Sequence, residues 1–353
     1  MQNNETIAKN REKIYEKLEY KPEPENYSSN IPWLVQQQVS ATNGIHYGDR
    51  VGKLKEYPVY ELPVPNHSGG GLFLDIGCGW GRWLVAGSNK EYIPIGIDLR
   101  LEFCETSRKV LKDLNKTGYT VVADLENIPF KDNTFDLIWS FSVIQHTHYD
   151  RLTNCLGHIN RLLTNDGFTR LEFPNRLGIR NRISNVKYSE RFKDDYNSWC
   201  VRYYSPGEYK EIFDRFLANF SFKNHSFLGI GVLKEDLKYV SMKNKIMCSA
   251  SLLGSAFTNI IPGLKYLSDS LYITANKKEH STTLNSSLST FKKLHKEDPN
   301  NNLNIISLLK CPKYGSDIEL SNDGKKAISK GNGIYYPIEN GIPIMIESEH
   351  RTL

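Results

Sequence analysis

The stretch Leu72-Phe73-Leu74-Asp75-Ile76-Gly77-Cys78-Gly79-Trp80-Gly81-Arg82-Trp83 decides the fold. Leu72 to Ile76 is apolar apart from Asp75, a pattern that predicts a parallel strand buried on both faces. Gly77, Gly79 and Gly81 follow at alternate positions, and a helix can open at Arg82. Strand, glycine turn and helix bring backbone N–H groups close to a nucleotide-like ligand, an approach that a Cβ would block. Asp75 then discriminates between ligands. A pyrophosphate beside a fixed negative charge is costly, and the GxGxG spacing differs from the GxGxxG of dinucleotide sites.

Outward from this turn, strand and helix patterns alternate. Tyr92 to Asp98 predicts a second strand ending in an acid about 20 residues after the turn, where open α/β sites put a carboxylate on ribose hydroxyls. Leu101 to Leu114 reads as a helix, and Tyr119 to Val122 and Phe135 to Ser140 as strands three and four. Asp150 is placed to cap a helix running to Leu163, with Leu152, Leu156, Ile159 and Leu162 on one face. Phe168 to Phe173 predicts strand five, with Pro174 and Asn175 at its end facing the site. A helix opens at Ser205-Pro206. Phe220 to Phe227 and Ser270 to Ala275 complete the strands. This order implies an α/β protein with a doubly wound sheet.

The glycine stretch resembles motif I of the class I S-adenosylmethionine-dependent methyltransferases, and the resemblance extends over about residues 70–276. S-adenosylmethionine has no phosphates and carries an ammonium and a sulfonium, so Asp75 suits it. The resemblance implies a Rossmann-like, mainly parallel seven-stranded sheet whose last strand is antiparallel. It implies a cofactor site made by Asp75, Gly77, Gly79 and Gly81, and by Asp98 with Leu99 at the ribose. The segment ADLENIPFKDNTFDLIWS resembles the adenine-binding part of small-molecule methyltransferases, which gives that role to Asp124 and Leu125. Ser140 and Phe141 then sit by the methionine part and Gln145 at the mouth. No metal is implied. Ser140-Phe141-Ser142-Val143 stands where an Asn-Pro-Pro-Tyr type motif would mark methylation of planar nitrogens. Methyl transfer to oxygen on a small-molecule, glycan or lipid-linked acceptor follows as the expectation.

His146 is the candidate general base, because an imidazole titrates near operating pH. The competing reading is a histidine that only packs, since many methyl transfers proceed by proximity; His148 is a second candidate. Residues 1–66 read as an N-terminal helical or cap segment, with Ile7, Ile14, Tyr15 and Leu18 on one helix face and His46 and Tyr47 further on. Basic and aromatic residues between Arg176 and Tyr204 suggest an acceptor-side lid, with a solvated charged face the favoured reading for any single one of them. The least polar run, Ile246 to Leu264, is too polar for a comfortable membrane span and is read as a packed helix, with a membrane-touching or lid helix as the minor alternative. Residues 277–302 read as a linker.

Residues 303–353 carry LLKCPKYGSDIEL and GIYYPIENGIPIMI, which resemble the small YcaR-like and Trm activator-like domain, an α+β unit. Zinc-binding members use four thiolates; here only Cys311 stands, so a buried structural role and no zinc are expected. This unit is expected to pack on the catalytic domain, a pairing of modules seen in bacterial proteins. Six scattered cysteines without a CxxC pair and a polar N-terminus suggest a reducing cytoplasm. The net charge of +5 is too small to argue for nucleic acid by itself. Three other classes stay open at this point: an RNA- or protein-modifying methyltransferase docking through the C-terminal unit, a dinucleotide oxidoreductase, and a non-catalytic scaffold.

Overall fold

A computed structural model describes residues 21–42, 50–188, 201–227, 232–261, 263–278 and 285–353. The expectations for Ile7 to Leu18, for His46 and Tyr47, and for the middle of the lid (189–200) lie outside these residues. Seven strands form one sheet: β1 (Leu72–Ile76), β2 (Ile93–Asp98), β3 (Tyr119–Val122), β4 (Phe135–Phe141), β5 (Leu163–Pro174), β6 (Leu217–Ser226) and β7 (Ser270–Lys277). Their spatial order is β3-β2-β1-β4-β5-β7-β6. Strand β7 runs antiparallel to β5 and β6, and the pairs from β3 through β5 are parallel. Every residue of β1 is buried, as the central position between β2 and β4 requires.

Helices cover both faces. Tyr149–Leu162 and Pro206–Asp214 bury Leu156, Ile159 and Phe213 on one side. On the other, Arg82–Asn89 packs beneath Ile31, Val35, Tyr57, Tyr60 and Leu62. The N-terminal segment is therefore part of this core layer and more than a covering. Two local expectations change. His148, not Asp150, caps the helix to Leu162: its backbone is extended and its Nδ1 accepts the Asp150 N–H at 3.3 Å. Strand β5 starts at Leu163, five residues early: Leu163 pairs with Phe135, and a register shift leaves the polar Thr164 to Gly167 without ladder partners before pairing resumes at Phe168.

The run read as a packed helix is Met242–Ile260, and it packs on one face only. Cys248, Ser251 and Thr258 are buried, whereas Met242, Ile246, Leu253, Phe257 and Ile260 are exposed. The expected linker holds the helix Ser287–Glu297, whose Phe291 is buried edge-on against Tyr119 at 5.1 Å between ring centroids. Periodicity was obscured there by the many Ser and Lys on its solvent face.

The C-terminal unit builds a second sheet from β8 (Ile318–Leu320), β9 (Lys326–Ser329), β10 (Ile334–Glu339), β11 (Ile342–Pro343) and β12 (Arg351–Thr352). It closes the free edge of β3. Asn302 accepts the Thr120 N–H through Oδ1 at 2.8 Å and donates to the Thr120 carbonyl through Nδ2 at 3.0 Å, replacing a neighbouring strand. Met345 N–H adds a bond to the Val122 carbonyl at 2.8 Å, and Ile344 bridges Val122 in parallel. Lys131 and Lys310 N–H groups tie the loop after β3 to the segment 308–310. An exposed edge strand invites pairing with another chain; here the same chain covers it. Asn302→Ala leaves both Thr120 backbone groups buried without partners, so it should cost about 3 kcal/mol, read as a lower urea midpoint with unchanged slope.

Candidate active site

The carboxyl ends of β1, β2 and β3 bring Asp75, Asp98 and Asp124 to one edge of the sheet, where open α/β folds bind ligands. Asp75 pairs in register with Gly96 on one side and Trp139 on the other, and is fully buried. Neither carboxylate oxygen has a hydrogen-bond partner among the described residues. Burial pushes its pKa up to about 8; nearby Arg82 opposes the shift and Asp98 adds to it. A buried carboxyl in this state lacks a cation.

The turn that follows is held open by backbone conformation. Gly77 has φ of +78°, and a Cβ on it would strike the Val143 side chain at 2.4 Å. Gly79 has φ of +52°, yet a Cβ there would meet only Thr42 Cγ2 at 3.9 Å, so this glycine leaves open space above the turn. Gly81, the third of the series, caps the helix Arg82–Asn89 with φ of +90°. The Gly79 and Arg100 N–H groups donate to the two oxygens of Asp98 at 3.1 and 3.2 Å. Burial still raises Asp98, to about 6, against those bonds. Leu99 packs on a cluster containing Cys104, Val122, Ile342, Ile344 and Ile346. The C-terminal unit thus touches the strand ends that carry Asp98 and Asp124.

Asp124 is mostly buried; its Oδ1 accepts the Glu126 N–H at 3.0 Å, and Arg151 Nη2 lies 3.8 Å from Oδ2. Leu125 is half-buried beside it. Ser140 donates its hydroxyl to the Ile76 carbonyl at 3.0 Å, a strut between β4 and β1. Phe141 is a wall: its ring meets Trp83 at 5.2 Å, His225 at 4.9 Å and the Arg82 guanidinium at 4.7 Å. Gln145 and His146 lie in a short 3-10 turn, their side-chain nitrogens 3.4 Å apart. Arg202 clamps that turn by donating from its backbone to Gln145 and from its guanidinium to the His146 carbonyl. Asn175, expected to face the site, spends its amide on the Tyr266 and Ser268 carbonyls.

Several residues beyond the sequence reading gather at this edge. Glu172 on β5 is buried and accepts the Ser142 hydroxyl at 2.7 Å. Burial raises its pKa, while the Ser142 and Ser270 hydroxyls and Arg82 oppose. Ser142 holds φ of +58°, a strained value for a side chain of its size. His225, 4.8 Å from Tyr272 between ring centroids, is pushed down to about 3 by burial and by Arg82, so its imidazole is neutral at pH 7. Gln38, on the helix Trp33–Thr42, is fully buried with neither amide atom partnered among the described residues. The sequence signal for Glu172 was an acid inside an apolar strand pattern, whereas Gln38, the last of three consecutive glutamines, carried none.

A family model described as a methyltransferase domain matches residues 73–167, which hold the glycine turn and all three strand-end acids. This chain is a methyltransferase. Its cofactor is S-adenosylmethionine, and the site fits that molecule: the partnerless Asp75 carboxylate suits a cation, and the space over Gly79 admits a ligand. Among the described residues no group of three or more His, Cys, Asp or Glu is set to hold a metal. Cys311 is buried, 3.4 Å from the Tyr336 hydroxyl.

Over 51 residues, 14% of its length, the methyltransferase is 49% identical to a UPF0434 protein of Ectopseudomonas mendocina, covering 84% of that protein. Over that stretch the chain belongs to the UPF0434 family. An uncharacterized protein of Methanocaldococcus jannaschii is 35% identical over 98 residues, 27% of this chain and 37% of that one. Among solved structures, a SAM-dependent methyltransferase of Thermotoga maritima has 17% identity and a TM-score of 0.42, covering 70% of this chain and 92% of its own. A chain from the complex of the Haloferax volcanii Trm112 methyltransferase activator with a methyltransferase has 17% identity and a TM-score of 0.43, covering 70% and 100%.

Asp75 gives a pH signature. Its carboxyl keeps its proton in the folded protein up to about pH 8 but loses it near 3.8 in the unfolded chain. Folded stability therefore falls as pH rises from about 4 to about 8 and is level above. Asp75→Asn removes that slope. The variant should be more stable than the parent by several kcal/mol at pH 8, read by urea unfolding at pH 5, 7 and 8.5, and should lose cofactor affinity by calorimetry.

Proposed function

We propose that this methyltransferase moves the methyl group of S-adenosylmethionine to an oxygen of a small-molecule, glycan or lipid-linked acceptor in the cytoplasm. The observation that carries the reading is Glu172, a buried carboxylate among the aromatic rings of the wall beyond the strand-end acids. A hydroxyl acceptor needs its proton removed as the new bond forms, and a carboxyl with a raised pKa serves better than an ordinary one. The bound cofactor supplies an electrophilic methyl on a sulfonium. The chain's own residues do the rest. Asp75 would meet the cofactor's cationic end, Asp98 would accept from the ribose hydroxyls, and Asp124 with the Leu125 N–H would read the adenine. Gln38, on the N-terminal helix, would offer its buried amide to the bound cofactor. Phe141 and the ring of Tyr272 exclude water, which sharpens the acid–base contrast. Glu172 takes the acceptor proton, and Ser142 orients its carboxylate. His146 is the second candidate for that proton.

We assign the UPF0434 match to residues 303–353 and read this unit as a built-in activator, resembling a Trm activator fused to its enzyme. Its contacts with Leu99, Val122 and the β3 edge support the reading, because they buttress the ribose and adenine end of the site. The mild net charge and the aromatic wall favour a compact acceptor over a nucleic acid. Among the described residues the thiols of five buried cysteines, none in a disulfide, agree with a reducing compartment.

Methyl-labelled S-adenosylmethionine supplied with fractionated cell extract tests the reading: label should enter small-molecule, glycan or lipid fractions, and label only in RNA or protein overturns it. Asp98→Ala should weaken cofactor binding at least about tenfold by calorimetry, the loss of a charge-assisted contact. Glu172→Gln should lower kcat by about a hundredfold or more with cofactor affinity retained. In the parent, kcat/KM should fall as pH drops below the Glu172 pKa, and this limb should vanish in the variant. If His146→Gln removes the limb instead, the base is His146.

A further inference from the structure

The helix Met242–Ile260 carries an apolar stripe that the fold leaves uncovered. Met242, Ile246, Leu253, Phe257 and Ile260 recur at spacings of four, seven, four and three, which is one face of an α-helix. Each is between 65 and 75% exposed. Such a run of large side chains is unusual on a water-facing surface. The opposite face is fully employed. Cys248 is buried, Asn224 Nδ2 donates to the Ser255 carbonyl at 2.9 Å and to the Thr258 hydroxyl, and Ser251 is tied to the Phe227 carbonyl. The stripe is therefore not a helix waiting to turn over into its own core.

Charge identifies the occupant. From Met242 to Ser268 the sequence has three lysines, Lys243, Lys245 and Lys265, and no acid. Lys245 and Lys265 are partly exposed. Lys265 lies 5.3 Å from the ring centroid of Tyr266, which is itself 38% exposed, so a basic and an aromatic side chain stand together beyond the end of the stripe. An apolar face flanked by lysines and an amphipathic aromatic fits the boundary of an anionic bilayer, with the lysines at the headgroups. A second copy of this surface would oppose like charges. No helix among the described residues is long and apolar enough to cross a membrane, so the helix would lie in the interface.

The position relates the stripe to the site. The helix binds Asn224 and Phe227, which flank His225, and His225 is the edge-on neighbour of Phe141. We propose that the face Met242–Ile260 seats this methyltransferase on an anionic lipid surface, with the acceptor end of the site beside the bilayer. The consequence for the acceptor, a lipid or lipid-linked hydroxyl, rests on the reading above; membrane binding itself does not.

The test is co-sedimentation of the full chain with vesicles of pure phosphatidylcholine and with vesicles containing about one-third phosphatidylserine, without any methyl donor. Lys245 and Lys265 at about a factor of five each predict a partition coefficient at least about twenty-five-fold higher on the anionic vesicles, falling with salt. Leu253→Asp with Phe257→Asp should abolish this binding while melting temperature and cofactor affinity stay as in the parent. Equal partition on both vesicle types, or none, overturns the proposal. So does a concentration-dependent dimer by light scattering that the double substitution dissolves, since the stripe then serves a second copy. Binding without label transfer to lipid would leave the membrane surface standing and remove the lipid acceptor alone.

Discussion

A carboxyl group in the centre of the sheet, without a hydrogen-bond partner, is the constraint around which this protein is built. Asp75 lies on the strand with neighbours on both sides, in register with Gly96 and Trp139 and fully buried, where an ionised group is strongly disfavoured. A carboxyl so placed stays neutral until a positive charge makes ionisation favourable, and under the proposed reading a cationic ligand would supply that charge. The glycine turn, the Asp98 contacts to its backbone and the aromatic enclosure of Arg82 all shape the surroundings of that single group. Functional sites commonly carry such a cost in stability.

A second constraint lies at the sheet's edge. Strand β3 is short, terminal in the sheet, and ends where Asp124 must be held. In an isolated domain its outer N–H and C=O groups would face water. Asn302 and the segment around Ile344 take those groups, and Ile342, Ile344 and Ile346 pack onto Leu99 and Val122. The C-terminal unit thus shares one apolar cluster with the strand ends that carry Asp98 and Asp124.

The opposite end of the sheet is built differently. Strands β6 and β7 bring His225 and Tyr272 to the ring of Phe141, and the helix Met242–Ile260 packs on β6 with large apolar side chains turned to solvent. The β3 end of the sheet is covered by the chain itself, while the β6 end carries an exposed apolar surface.

The strands, their order along the chain and the three strand-end acids were legible in the sequence, because buried parallel strands are continuous apolar runs and each acid interrupts or ends one at a fixed place. The antiparallel last strand, expected from family resemblance, also stands. What periodicity could not give was partnership. A serine at the end of β4 reads the same whether its hydroxyl lines a pocket or, as Ser140 does, braces Ile76. An asparagine in a polar stretch reads as linker whether or not, as Asn302 does, it completes a sheet. Gln38 and Glu172 were visible as letters, but only tertiary structure shows that both are enclosed. The Met242–Ile260 helix was visible as apolar; whether its apolar face turned inward depended on which surface the sheet had left to cover, and that is decided by packing between elements far apart in the chain. Local pattern fixes what each segment can be, since it depends on neighbours within a few residues; which polar groups are satisfied, and which apolar ones stay exposed, is settled by contacts across the whole fold.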